Sequence, residues 1–113
     1  MVTKELGKIE SARFGLGGYQ DCMIGLELSF VGESWGVCAT EPMAWDPNKI
    51  KNDKHSKWTE EDRDKTFAAT MRRLSDILAA AKVKHVGQLV GKPVEVTFEK
   101  MTIQSWRILT EVL

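Results

Sequence analysis

The residues best suited to binding chemistry concentrate in the segment 41–58, whose sequence has the periodicity of neither a helix nor a strand. Irregular segments of this length are uncommon in compact domains and are usually functional or disordered. The segment contains Trp45, Trp58 and four lysines, and the stretch 49–57 has four lysines against one aspartate. Ammonium groups bind phosphate and indole rings stack on nucleobases. The candidate ligand-binding residues here are Trp45, Lys49, Lys57 and Trp58.

Both residue types in this segment also have a simpler interpretation. Trp58 directly precedes a helix cap at Thr59, where an apolar residue often anchors the incoming chain. Trp45 lies between two prolines and has no such neighbour. The lysines could equally form a solvated surface, so binding and anchoring stay open for this segment.

A second candidate is the glycine-rich connection at 15–20, Gly-Leu-Gly-Gly-Tyr-Gln. Dinucleotide-binding glycine loops lead into a helix, whereas the residues that follow this connection alternate like a strand, which excludes that class of site. Two alternatives remain: a turn or bulge that needs positive φ angles, or a ligand edge built from backbone. For the second, the predicted contacts are Gly17, Gly18, Tyr19 and Gln20.

Arg107 is the third candidate, next to Trp106 on a predicted strand with its side chain on the outer face of the sheet. It could pair with a carboxylate on the neighbouring strand, such as Glu95. It could instead bind an anion at a ligand edge or a subunit seam.

Catalytic and metal-binding patterns are missing from the sequence. The two histidines, His55 and His85, lie about thirty residues apart with no carboxylate or cysteine at ligand-like spacing. A zinc site needs three or four such ligands, and no acid–base or nucleophile arrangement can be read from the chain. We therefore predict no metal site, no cofactor and no enzymatic activity.

The elements that would position these residues follow from periodicity. Strands are predicted at 6–14, 23–30 and 35–39, then a long helix from Thr59, then strands at 94–98 and 103–112. The helix should face the core through the stripe Phe67, Met71, Leu74, Leu78 and Ala81. This order predicts an α+β fold, with a five-stranded antiparallel sheet and one long helix on one face as a two-layer sandwich.

The second and third strands should form a hairpin around Gly32. The predicted register places Phe30 opposite Trp35 and Leu28 opposite Val37, with Glu27 opposite Cys38. Cys22 would then lie beyond the reach of Cys38, so two free thiols and a reducing compartment are expected.

Size and charge narrow the class of protein. The 113 residues suit a single domain, 1–113, and sixteen basic residues balance sixteen acidic ones. Neutral net charge disfavours tight binding to duplex DNA. No spanning helix or signal peptide is recognisable, which predicts a cytoplasmic protein without a membrane partner.

The outer sheet face is partly apolar, which favours a homo-oligomer, a dimer or higher. The residues that make this face less polar are Met23, Gly25, Cys38 and Leu109.

Three segments together resemble small uncharacterised proteins that are encoded in tailed phages and prophages. They are Phe14-Gly-Leu-Gly-Gly-Tyr-Gln-Asp, Lys57-Trp-Thr-Glu-Glu-Asp-Arg with its helix, and Gly91-Lys-Pro-Val-Glu-Val-Thr-Phe-Glu through 105–113. The resemblance covers nearly the whole chain and implies a viral accessory role. Small phage proteins of this type often oppose host defence, by blocking a defence protein or by sequestering a nucleotide signal.

These observations lead to one hypothesis with two alternatives. The first is a non-enzymatic phage accessory protein, plausibly acting in counter-defence, that captures a nucleotide-like ligand. The second is a protein that binds and inhibits a host defence enzyme. The third is a module that binds single-stranded nucleic acid, by charge and base stacking.

Overall fold

A computed structural model describes residues 2–17, 23–45 and 60–113 of the chain. It confirms an α+β fold with an antiparallel sheet and one helix packed on it. The elements in chain order are β1 (Val2–Gly17), β2 (Met23–Val31), β3 (Gly36–Thr40), β4 (Ala44–Trp45), α1 (Glu60–Ala81), β5 (Pro93–Glu99) and β6 (Thr102–Ile108). Short 3-10 turns at Val86–Leu89 and Thr110–Val112 follow α1 and β6.

Among the described residues the sheet has six strands rather than the predicted five, in the order β3-β2-β1-β5-β6, with β4 also paired to β2. The additional strand lies in the segment 41–58, which the sequence analysis treats as irregular. Its two residues pair with Met23 and Ile24 at the beginning of β2, next to the stretch that β3 covers. Part of that segment is therefore an element of the sheet.

The long strand β1 is shared by both halves of the sheet. Residues 2–8 pair with β5 and residues 8–17 pair with β2, with an irregularity in register between Ile9 and Ser11. A bulge of this kind bends a strand and increases its twist. The bend lies where β1 passes from one partner to the other.

The predicted register of the β2–β3 hairpin is wrong by two residues. Phe30 pairs with Val37 and Leu28 with Ala39, because Trp35 belongs to the connection, where its carbonyl accepts the Gly32 amide at 2.9 Å. A shift of two residues keeps every side chain on its predicted face, whereas a shift of one would reverse all of them. The inward alternation along β2 is accordingly as predicted.

Two aromatic contacts show that the sheet is strongly curled. Strands β2 and β6 are three positions apart, which in a flat sheet is about 14 Å at the usual strand spacing. Nevertheless the rings of Phe30 and Trp106 lie 4.9 Å apart, and those of Trp35 and Phe98 lie 5.2 Å apart. The five longer strands therefore form a partly open barrel. With α1 between the third and fourth of them, this connectivity corresponds to the OB-fold.

Helix α1 covers the end of the barrel where β2 begins. It packs through Thr70, Ile77 and Ala81, which are buried, and Leu74 and Leu78, which are partly buried. The predicted stripe includes Met71 as a core residue, and this prediction is wrong because Met71 is 55 % exposed. The contact face is rotated toward Thr70, whose hydroxyl donates to the carbonyl of Pro42 at 2.9 Å.

The last predicted strand also ends earlier than expected. β6 stops at Ile108, and the amide of Leu109 donates to the carbonyl of Pro93, the first residue of β5. Beyond that point β5 offers no further partner, so the chain turns into the 3-10 segment. Val112 is exposed there instead of sharing the inward face of Trp106 and Ile108.

One carboxylate connects three parts of the barrel. Glu41, directly after β3, accepts hydrogen bonds from the Arg73 guanidinium of α1, at 2.8 Å from Nε and 3.3 Å from Nη2. It also accepts the indole N–H of Trp106 on β6. The Glu41 side chain is only 10 % exposed, and the Arg73 guanidinium lies 5.4 Å from the Trp106 ring centroid. We call these three residues the Glu41 clamp.

Replacing Glu41 by Ala should lower the free energy of unfolding by about 2–3 kcal/mol, because it leaves the Trp106 N–H and the Arg73 guanidinium without their acceptor in a largely buried place. Urea denaturation should show a lower midpoint with an unchanged m-value. The matched control is Glu61→Ala, which removes an exposed carboxylate 3.5 Å from Lys65. That control should cost less than about 0.5 kcal/mol. Equal midpoints for the two variants would contradict a structural role for the clamp.

Candidate functional site

The outer face of the barrel brings two of the predicted binding segments together. Gly17, the last residue of β1, pairs with Met23 of β2, and Met23 pairs with Trp45 of β4. Directly paired residues project to the same face of a sheet. Gly17 and Trp45, which belong to two separate predicted segments, therefore lie in one row across three strands.

An ion pair lies beside this row. Arg13 of β1 and Glu27 of β2 are cross-strand partners, and Arg13 Nη1 lies 2.8 Å from Glu27 Oε2. Arg13 Nη2 also donates to the carbonyl of Leu16 at 2.7 Å. A Cβ atom at Gly17 would lie 2.1 Å from Glu27 Oε1, so the glutamate side chain lies across the glycine. A side chain at position 17 would push the flexible end of the Glu27 side chain aside.

A second glycine permits another close contact on the same face. Gly25 pairs with Gly15, and a Cβ atom at position 25 would lie 2.6 Å from Cγ of Met43. Met43 is buried as a consequence. We call the surface formed by Arg13, Gly17, Met23, Glu27 and Trp45 the ligand face.

Toward β3 the ligand face continues into a small depression of about 140 Å³. The hydroxyls of Ser11 and Ser29 are hydrogen-bonded across β1 and β2, and Ser29 pairs with Cys38 of β3. Cys38 is an exposed free thiol, as predicted, whereas Cys22 lies outside the described residues. The depression thus offers hydroxyl groups and one thiol, with the Arg13–Glu27 pair at its edge.

Six of the predicted site residues cannot be placed. Gly18, Tyr19, Gln20, Lys49, Lys57 and Trp58 lie outside the described residues and stay predictions. Their segments adjoin the ligand face in the chain, because residues 18–22 join Gly17 to Met23 and residues 46–59 follow Trp45. Three residues of the ligand face, Arg13, Met23 and Glu27, are not among the site residues predicted from the sequence. Finding them needs the β1–β2 register, for which the sequence of β1 carries no distinct alternation.

Arg107 does not join the ligand face. It lies on β6 opposite Glu95 of β5, and its Nε is 3.1 Å from the Glu95 carboxylate, which is the pairing that the sequence offers as its simpler role. Glu111 holds the other side of the guanidinium, with Nη1 and Nη2 each donating at 2.8 Å. Hydrogen bonding to Arg107 lowers the pKa of Glu111 to about 2, and the two glutamates raise the pKa of Arg107.

Several classes of site find no support in the described part of the chain. Residues 2–17, 23–45 and 60–113 contain no group of three or more His, Cys, Asp or Glu side chains that could hold a metal ion. Over the same ranges, no helix is long and apolar enough to cross a membrane. Comparison with protein-family models, curated proteins and solved structures finds no match.

The Arg107→Gln variant should raise the pKa of Glu111 from about 2 toward its ordinary value near 4.5, because the two hydrogen bonds that favour the carboxylate are lost. In the native protein the pair stabilises the fold above about pH 4.5, and this contribution is lost as the pH falls toward 2. Following the carboxyl carbon of Glu111 by NMR through an acid titration measures both states. An unchanged Glu111 titration in the variant would show that Arg107 does not set this pKa.

Proposed function

We propose that this protein is a non-enzymatic binding module that captures a nucleotide-sized anionic ligand on the ligand face. The observation that carries the proposal is the row Gly17–Met23–Trp45, flanked by the guanidinium of Arg13. It places the half-buried indole of Trp45 and the guanidinium of Arg13 on the same surface. An indole stacks on a nucleobase and a guanidinium binds phosphate in a bidentate manner.

The few such groups among the described residues of the ligand face favour a small ligand. Proteins that track long single strands combine a positively charged groove with several stacking aromatics. On the ligand face the structure describes one aromatic residue, Trp45, and one arginine whose charge is balanced by Glu27. This composition suits one base and one phosphate group better than an extended strand.

The fold supports the location by analogy. In OB-folds the outer face of the second and third strands, with the adjoining connections, binds oligonucleotides and oligosaccharides. The ligand face shares β2 with that position and adjoins the β1–β2 connection in the chain, while its other residues lie on β1 and β4. Fold analogy gives a place and a ligand class but no residue roles. The roles are therefore assigned from the side chains: Arg13 to phosphate, Trp45 to the base and Glu27 as the displaceable counter-ion of Arg13.

In the setting that the phage resemblance implies, such a module would remove a nucleotide signal from a host defence system. Tyr19, Gln20, Lys49 and Lys57 belong to the same proposal, as further contacts from the adjoining segments. The OB-type connectivity favours single-stranded nucleic acid as the second candidate ligand. The same titration with a mononucleotide and with a decamer of deoxythymidine separates the two.

The first experiment is mass spectrometry of any small molecule released from the purified, heat-denatured protein. Isothermal titration with the released compound, or with the four ribonucleoside monophosphates and their cyclic dinucleotides, then gives the affinity. Saturable binding at one site per chain, weakening with salt, is the expected result. A protein that carries nothing and binds none of these compounds would overturn the proposal.

Substitutions on the ligand face should change affinity in opposite directions. Trp45→Ala should weaken binding about tenfold or more, since base stacking on an aromatic contributes about 1–3 kcal/mol. Arg13→Gln should weaken binding about fivefold, and Glu27→Gln should strengthen it about threefold, because the latter frees Arg13 from its counter-ion. The matched control is Arg107→Gln, which removes a glutamate-paired arginine elsewhere on the outer surface. Wild-type affinity in both Trp45→Ala and Arg13→Gln would contradict the assigned face.

A further inference from the structure

A second opening lies at the end of the barrel away from α1. The helix contacts β4 and the 3-10 turn before β5, whereas this cavity of about 590 Å³ is bounded by the β2–β3 connection and the β5–β6 turn. We call it the distal mouth. The residues that line it include Glu5, Trp35, Val37, Phe98, Lys100 and Met101. None of them belongs to the ligand face. Clefts of 300–1,000 Å³ with apolar and aromatic walls are the usual form of small-molecule sites.

The aromatic wall of the distal mouth is held in place by two glycines. A Cβ atom at Gly32 would lie 2.2 Å from the Trp35 indole, and one at Gly7 would lie 2.8 Å from it. Trp35 therefore packs directly on backbone, and Phe98 meets it edge-on at 5.2 Å. A ring fixed in this way needs no reordering when a ligand arrives, which lowers the cost of binding.

The rim of the distal mouth is a turn with unusual backbone geometry. Lys100 and Met101 have φ angles of +52° and +66°, in the left-handed region that glycine and asparagine normally occupy in two-residue hairpins. Met101 is 95 % exposed on this turn. Strained positions with side chains cluster at ligand sites, and methionine adapts its shape to apolar partners. The turn thus presents a flexible apolar group beside the aromatic wall.

Charge decides which class of ligand fits. Glu5 pairs with the buried Val96, so it projects to the inward side of β1, into the distal mouth. Within the part of the chain that the structure describes, no basic group lies within ion-pair distance of its carboxylate. Lys100 is the one cation among the described lining residues, and its exposed side chain on the rim turn can extend into water. A cavity lined by a carboxylate and the Trp35 and Phe98 rings is suited to a cation with an apolar body.

We propose that the distal mouth is a binding site for a small organic cation, an alkyl- or arylammonium compound. Its apolar body packs between Trp35, Phe98 and Met101, and its ammonium group pairs with Glu5. Lys100 opposes the positive charge and sets an upper limit on affinity. The site is independent of the ligand face, so either can fail without the other.

The test uses three probes of similar shape and different charge: phenethylammonium, 2-phenylethanol and 3-phenylpropionate. Each is titrated into the full chain and followed by NMR at the indole N–H of Trp35 and the amide of Gly36. The cation should give a saturable shift, the neutral alcohol should bind about tenfold more weakly, and the anion should not bind. No saturable shift at Trp35, or equal affinities for all three probes, would overturn the proposal.

Charge variants make the test specific. Glu5→Gln should weaken binding of the cation about tenfold and leave the alcohol unchanged, while Lys100→Gln should strengthen binding of the cation about threefold. The matched control is Glu99→Gln, which removes an exposed carboxylate next to the same turn but from the other face of β5. The control should stay within about twofold of the native affinity. Equal losses in Glu5→Gln and Glu99→Gln would show a nonspecific charge effect and overturn the proposed site.

Discussion

The barrel depends on the Glu41 clamp, which holds together margins of the sheet that backbone pairing leaves apart. β3 and β6 are the outermost strands in the pairing order, yet Glu41 after β3 receives the indole N–H of Trp106 on β6. Arg73 of α1 binds the same carboxylate. A carboxylate has several acceptor positions, so one side chain can connect the helix and both margins at once. The clamp thereby holds Trp106 against Phe30 in the core of the curled sheet.

This curvature explains why the two ends of the barrel have different chemical character. At one end α1 fills the opening with Ile77 and Ala81, and the chain leaves the sheet through β4. At the other end no helix of the described residues lies over the core, and Trp35 and Phe98 line the cavity there. A flat two-layer sandwich would have covered one whole face and left no such opening. The distal mouth is thus a consequence of rolling the sheet.

How far the sequence predicts this molecule depends on the range of the interactions involved. The alternation along β2 and the presence of a long helix follow from local periodicity and are correct, because burial of one face imposes a period on each element. The β2–β3 register is missed because apolar Trp35 resembles a strand residue while it serves in the turn. A two-residue strand such as β4 has too few residues to show a period. The curl arises from contacts such as that of Phe30 with Trp106, which no local pattern records.

The candidate site divides in the same way. Gly17 and Trp45 are recognisable individually from residue type, but their meeting across Met23 is a matter of register. Arg107 looks available in sequence because Glu111 would lie far away along an extended strand. The strand ends at Ile108, and the 3-10 turn brings Glu111 back to the guanidinium. Type and spacing therefore identify groups capable of binding, whereas chain reversals decide which of them are free to do so.

The long strand β1 also has a consequence for how the chain folds. Its second half pairs with β2, the next strand in sequence. Its first half pairs with β5, and Val2 there lies opposite Glu99. Contacts between residues so distant in sequence slow folding, because a large loop must close before they form. During synthesis the early half of β1 remains an unpaired edge until residues 93–99 have emerged from the ribosome. Such an edge is where association with other chains begins. The short β2–β3 hairpin can form first, and closure of the barrel is then a late event.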